Sequence, residues 1–197
     1  MDRAAFFELL RQDFFPILRR EGFRGSGNSL RRVSGPLVHV VNFQASSSGG
    51  RCYLNLGAHL SFLPVPGGKD APPDQLDEAS CAFRLRVQSP DPSGGWVYGE
   101  SADQAKESLT GLVSRWSHVG KAFFETFATY PDSFVSILDS LDPSAMRSPD
   151  LLIHARIAMH LGRVEQATQL VEAGLRDCPP VASSLRANLR RVVPPSP

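Results

Sequence analysis

Long apolar runs are missing from this sequence: no window approaches the roughly 18 apolar residues that a membrane span requires, so no spanning segment is expected. Cysteine is scarce. Cys52, Cys81 and Cys178 are odd in number and far apart, which excludes a disulfide framework or a clustered zinc site and fits reduced thiols in a cytoplasm. Lysine is scarcer than arginine, with Lys69, Lys106 and Lys121 the only lysines among 21 basic residues. Biased coding in a GC-rich genome is the plainer reading of that excess, beside selection for the phosphate-binding forks that arginine offers. An excess of one charge is absent too. Against the 21 basic residues stand 20 acidic ones, a net charge of +1, so nothing draws the whole chain to nucleic acid or anionic membrane. The first residues, MDRAAFFELLRQDFF, mix acids into an apolar stretch and are not expected to be a signal peptide.

Signatures of catalysis are missing as well. The sequence holds no HExxH, no CxxC and no GxSxG. Of its five histidines (His39, His59, His118, His154 and His160), the last two are six positions apart and do not share a helix face as an i, i+4 ligand pair would. No catalytic residue, metal site or cofactor is therefore expected. Cys52 and Cys81 alternate in register with apolar neighbours and are expected to point into the core as structural thiols.

The stretch Gly22–Ser29, GFRGSGNS, resembles a phosphate-binding loop with Asn28 where the lysine belongs. Its context argues otherwise. A phosphate loop follows a strand and opens a helix, so that helix-terminal N–H groups meet the anion; here the glycines close a helix and lead into a strand. Gly22 reads as a helix cap with Phe23 folded back onto Leu18, and residues 25–28 as the turn after it.

What is present is a legible order of elements. Residues 2–21 carry Phe6, Leu9, Leu10, Phe14, Ile17 and Leu18 at helical spacing, with a kink expected at Pro16. Strand-like runs follow at 30–33, 37–44, 51–62, 81–88 and 96–98, separated by turn signals that suggest an antiparallel meander. The segment at 64–74, PVPGGKDAPPD, reads as a loop that breaks the sheet. From Ser101, an N-cap completed by Gln104, the pattern becomes helical, with further helices near 121–129 and 131–141. Ser148 and Pro149 mark another helix start, and the run at 148–178 resembles a tetratricopeptide helix pair, without the repeat of about 34 residues that an array would show. A last amphipathic helix with Arg186, Arg190 and Arg191 reads as a solvated face.

The opening helix with its exit LRREGFRGSGNSLRR, the strands VVNFQAS, YLNLGAHL and CAFRLRV, and the helix bearing Trp116 together resemble the bacterial domain-of-unknown-function family 4304 over residues 1–130. The resemblance implies an α+β fold, an N-terminal helix packed on a mostly antiparallel sheet, and implies no activity. The expected organisation is this domain at 1–130, a helical extension at 131–192 with the hairpin, and a disordered tail at 193–197.

Strand alternation supplies one candidate site. If Leu54, Leu56, Ala58 and Leu60 face the core, then Tyr53, Asn55 and His59 face the other way. By the same parity Arg84 and Arg86 oppose Phe83, Leu85 and Val87, while Asn42 and Gln44 oppose Val41 and Phe43. Asn42, Gln44, Tyr53, Asn55, His59, Arg84 and Arg86 would then share one face. Such a face can take a carboxylate or phosphate, because arginine offers a fixed fork of donors; it is equally the solvated face that a one-sided antiparallel sheet commonly has. The reading drawn is of a non-enzymatic cytoplasmic interaction or regulatory module, of which an immunity partner would be one kind. The alternative is an enzyme or sensor for a small anion on the Arg84/Arg86 face. Another protein or a small anion is the expected partner; nucleic acid and membrane are not.

Overall fold

Asp2 opens the first helix, its carboxylate accepting the Ala5 N–H at 2.9 Å as an N-cap does. In the computed structural model, which describes residues 1–65 and 71–193, the opening helical stretch has three parts. They are α1 (Arg3–Leu9), a π-turn over Leu10–Phe14 and α2 (Phe15–Arg20). Just before Pro16, where the kink is expected, lies the π-turn, in which the Phe15 N–H reaches back to the Leu10 carbonyl. A proline ring crowds the preceding turn and brings no N–H, and one widened turn just before it accommodates both. Gly22, at φ +90°, ends the helix. Its N–H bonds to the Arg19 carbonyl and the Phe23 N–H to the Leu18 carbonyl at 3.0 Å, the paired bonds of a Schellman cap.

The chain divides into two compact units, Met1–Ala128 and Thr129–Pro197. In the first, strands β1 (Ser29–Ser34), β2 (Leu37–Ala45), β3 (Arg51–Leu60) and β4 (Phe83–Val87) form an antiparallel meander in the order β1-β2-β3-β4. Strand β5 (Trp96–Val97) pairs with Arg51 and Cys52 of β3, so it resumes the line of β4 along the same edge after a loop. Then come α3 (Ala102–Arg115), opened by the Ser101–Gln104 capping box, a second π-turn over Trp116–Gly120 and α4 (Lys121–Thr126).

These helices cover one face of the sheet. Phe6, Leu10, Phe14 and Leu18 from the first helices, Leu109, Leu112 and Trp116 from the later ones, and Val41, Phe43, Leu54 and Leu56 from the strands make one core. Phe14 meets Phe43 and Trp116 edge-on, at 5.6 and 5.7 Å between ring centres. Burying a side chain of that size contributes roughly 1.5–3 kcal/mol.

The opposite face is covered over half its length, which departs from expectation. Its cover comes from residues 61–65 and 71–82, which seat Leu76 and Cys81 on Val38 and Val40, with Val65 and Ala71 packed against them. Cys81 is buried as expected, but on this face and not in the helix-covered core. It is not in a strand either. Its N–H bonds to the Glu78 carbonyl and that of Ala82 to His59 Nδ1, at 3.1 Å each, so neither can join the ladder and β4 starts at Phe83.

The second unit comprises α5 (Asp132–Ser140), α6 (Ser148–His160), α7 (Val164–Asp177) and α8 (Ser183–Arg190). Ser148 is the first helical residue, with Arg147 in the cap position, one place earlier than expected; Arg147 Nε pairs with Asp150 at 3.0 Å. Gly162 closes α6 in a second Schellman cap, and α6 packs against α5, α7 and α8. Arg186 of the expected basic face donates to the Leu175 and Cys178 carbonyls at the end of α7. The tail expected from 193 lies, from 194 on, outside the described residues, as does 66–70 of the expected loop. Among the described residues no helix is long and apolar enough to cross a membrane.

Candidate functional site

The register of the strands decides which side chains meet. Asn42 lies opposite Asn55, and Asn55 opposite Arg86; Gln44 lies opposite Tyr53, and Gly57 opposite Arg84. Residues directly opposite in a ladder share a face, so Asn55, Arg84 and Arg86 stand on the same side, away from the helices. That side has two halves with different chemistry.

The open half holds a ladder of polar groups. The Asn42 Nδ2–H donates to Ser29 Oγ at 2.8 Å, and the Asn55 Nδ2–H to Gln44 Oε1 at 3.1 Å and Asn42 Oδ1 at 3.4 Å. Asn55 is 3% exposed, so it acts as a support beneath the others. Arg86 completes the ladder. Its Nε–H donates to Asn55 Oδ1 at 2.9 Å and its Nη2–H to Gln44 Oε1 at 3.2 Å. Its guanidinium carbon lies 4.5 Å from the centre of the Tyr53 ring, within cation–π range. A guanidinium carries five N–H donors, so the second Nη2–H and both Nη1–H groups have no protein acceptor among the described residues. No ion pair among those residues includes Arg86. Before it opens a depression of about 720 Å³ lined by Asn28, Asn42, Gln44, Tyr53 and the Ser46–Ser48 turn.

His59 and Arg84 sit on the same face but under or beside the covering segment. His59 is 2% exposed. Its Nε2–H donates to the Leu63 carbonyl and its Nδ1 accepts the Ala82 N–H, so one ring joins the beginning and the end of the cover; burial lowers its pKa. Arg84 Nε pairs with Glu78 Oε1 at 2.7 Å, and this bond raises its pKa. Gly57 lies beneath Cys81: a β-carbon there would be 2.6 Å from the Cys81 sulfur. These side chains hold the cover down, which separates them from Arg86 and its amides.

The serine turn at 46–48 and Asn28 are not among the seven candidate residues; alternation along a strand has nothing to say about a turn or about a residue just before the strand. A second groove, of about 800 Å³, runs between β5 and α3 past Trp96, Val97 and Gly111, with Asp91, Glu100 and Glu107 around it. It too left no mark on strand parity. Among the described residues no group of His, Cys, Asp and Glu could hold a metal ion. The thiols of Cys52 and Cys81 are each pushed up to about 12 by burial, far from a nucleophile's range.

No curated protein and no solved structure matches the chain. A family model described as "Domain of unknown function (DUF4304)" matches residues 14–126, a span that takes in α2, the whole sheet, α3 and α4. The chain, with its polar ladder on the sheet inside that span, belongs to the DUF4304 family.

Proposed function

We propose that the first unit is a non-catalytic binding module that takes up an acidic group of its partner at Arg86. One observation carries this reading: the Arg86 guanidinium is held by Asn55 and Gln44 over Tyr53, with donors left over and no carboxylate to neutralise it. A planar fork fixed in this way binds a carboxylate or phosphate through paired, charge-assisted hydrogen bonds. Fixing it beforehand removes an ordering cost of about 0.5–1.5 kcal/mol from the binding event. The sheet, and not the helical hairpin, is the favoured surface. In the second unit the large apolar side chains exposed among the described residues are Val164 and Val181, too few for an apolar groove.

Succinate titrated into the full chain should shift the Arg86 Nε–H and Asn55 side-chain amide resonances saturably, with chloride at the same ionic strength as control. Arg86→Gln should remove the saturation. Saturation that survives Arg86→Gln, or none in the unaltered chain, would refute the assignment.

A further inference from the structure

An antiparallel ladder alternates between residues that exchange both backbone bonds and residues that exchange none, so a few bonds fix which groups point outward along every strand. The Ser61 N–H bonds to the Pro36 carbonyl and the Ser46 N–H to the Arg51 carbonyl. In β3, therefore, odd-numbered residues bond toward β2 and even-numbered residues toward β4 and β5. The Tyr98 N–H on the Gly50 carbonyl agrees. In β4 it is then Phe83, Leu85 and Val87 that bond to β3, while the N–H and C=O groups of Arg84 and Arg86 point away from the sheet.

The two edges of the sheet are treated differently. On β1 the outward groups of Arg31 bond to Arg24 in both directions, at 2.7 Å each. On β4, no backbone group among the described residues meets those of Arg84 and Arg86. The open stretch is bounded: the carbonyl of Gln88, the next outward-facing residue, accepts Arg115 Nε–H at 3.4 Å. What remains is a short strand edge with two N–H and two C=O groups free, directly beside the guanidinium described above.

We infer that this edge receives an extended acidic segment of another protein as an added strand, with a carboxylate opposite Arg86; the inference rests on the Arg86 reading and names its partner. In the added strand, the residue facing Arg86 turns its N–H and C=O toward β4 and its side chain onto the open polar face. An acid at that position meets the free guanidinium, and opposite charges directly across a ladder stabilise it. Charge also selects against a second copy of this chain. Two β4 edges paired antiparallel would bring Arg84 and Arg86 against their own counterparts, which destabilises.

The test uses the full chain and a short, terminally capped peptide alternating Glu with Thr, followed by calorimetry. The unmodified peptide should bind. N-methylation of its Glu residues, whose N–H groups face β4, should weaken binding about tenfold or more, a loss of one or two backbone bonds. N-methylation of its Thr residues, whose N–H groups face away, should leave binding within about twofold, since no bond to β4 is removed. If both methylated peptides bind like the parent while Arg86→Gln abolishes binding, strand addition is wrong and the Arg86 reading stands. Binding unaffected by Arg86→Gln overturns both, and a chain that takes succinate at Arg86 but not the parent peptide overturns the added strand alone.

Discussion

Acid should loosen the first unit through His39, and the size of the effect follows from its surroundings. The ring is 2% exposed. Its Nε2–H donates to the Phe127 carbonyl at 2.9 Å, and its Nδ1 accepts from Arg32 Nη2 at 2.9 Å and Nε at 3.3 Å. Only the neutral ring can do both. Burial first, and the Arg32 charge second, bring the pKa down from 6.5 to about 4. Arg32 also donates to the backbone carbonyl of Glu21, whose carboxylate pairs with Lys121 at 3.1 Å. A histidine whose pKa is lower in the folded state binds fewer protons there than when unfolded. Its contribution is intact above 6.5 and is lost as pH falls from 6.5 toward 4. At about 1.4 kcal/mol per tenfold change in proton affinity, that difference amounts to about 3 kcal/mol. Urea unfolding followed by tryptophan fluorescence isolates the first unit, because Trp96 and Trp116, the only tryptophans, are both buried in it. His39→Gln keeps an acceptor for Arg32 and a donor for Phe127 without a titrating ring. Carboxylates that titrate in the same range do so in both proteins, so the gap between the two stability curves reports His39. It should change by about 3 kcal/mol between neutral pH and pH 4, the wild type losing more. Parallel curves across that interval would refute the argument.

Two further outcomes are expected. Gly57→Ala should cost about 1–3 kcal/mol in the same urea assay, as overpacking of a close contact does, because its new β-carbon would lie 2.6 Å from the Cys81 sulfur and 2.8 Å from its β-carbon. Adding Cys81→Ala should recover part of the loss, and no recovery would mean that the cover does not press on the sheet at that point. Cys52 and Cys81, with thiols near 12, should be silent to a disulfide reagent at pH 8, where about one in ten thousand is ionised, and should react stoichiometrically in urea. Prompt labelling of either in the native protein would contradict the burial described.

Much of the first unit could be read from local chemistry. The cap at Gly22 and the capping box at Ser101 are written in a few adjacent residues, and alternation along LVHVVNFQ, RCYLNLGAHL and CAFRLRV suffices to place Asn42, Asn55 and Arg86 on one face. What escaped was set by contacts across long stretches of chain. Leu76 and Cys81 lie in or beside a proline-rich loop with no period, so nothing nearby shows that they fold back over Val38 and Val40. That return engages Arg84 with Glu78 and draws His59 under cover, and two of the seven candidate residues thereby become fasteners. The π-turns escaped for another reason: one residue beyond the usual turn barely disturbs an apolar pattern such as Phe6, Leu10, Phe14, Leu18. Arg86 stayed legible because its neighbours are strand residues in fixed register.

The bond pair between Arg24 and Arg31 has a consequence for assembly. A sheet with two receptive borders can stack indefinitely, each molecule templating the next, which is how fibrils elongate. Here the protein's own chain occupies the middle of one border, at Arg31, and breaks its run of free groups. A row that grows by strand addition finds no such unbroken run there to continue along.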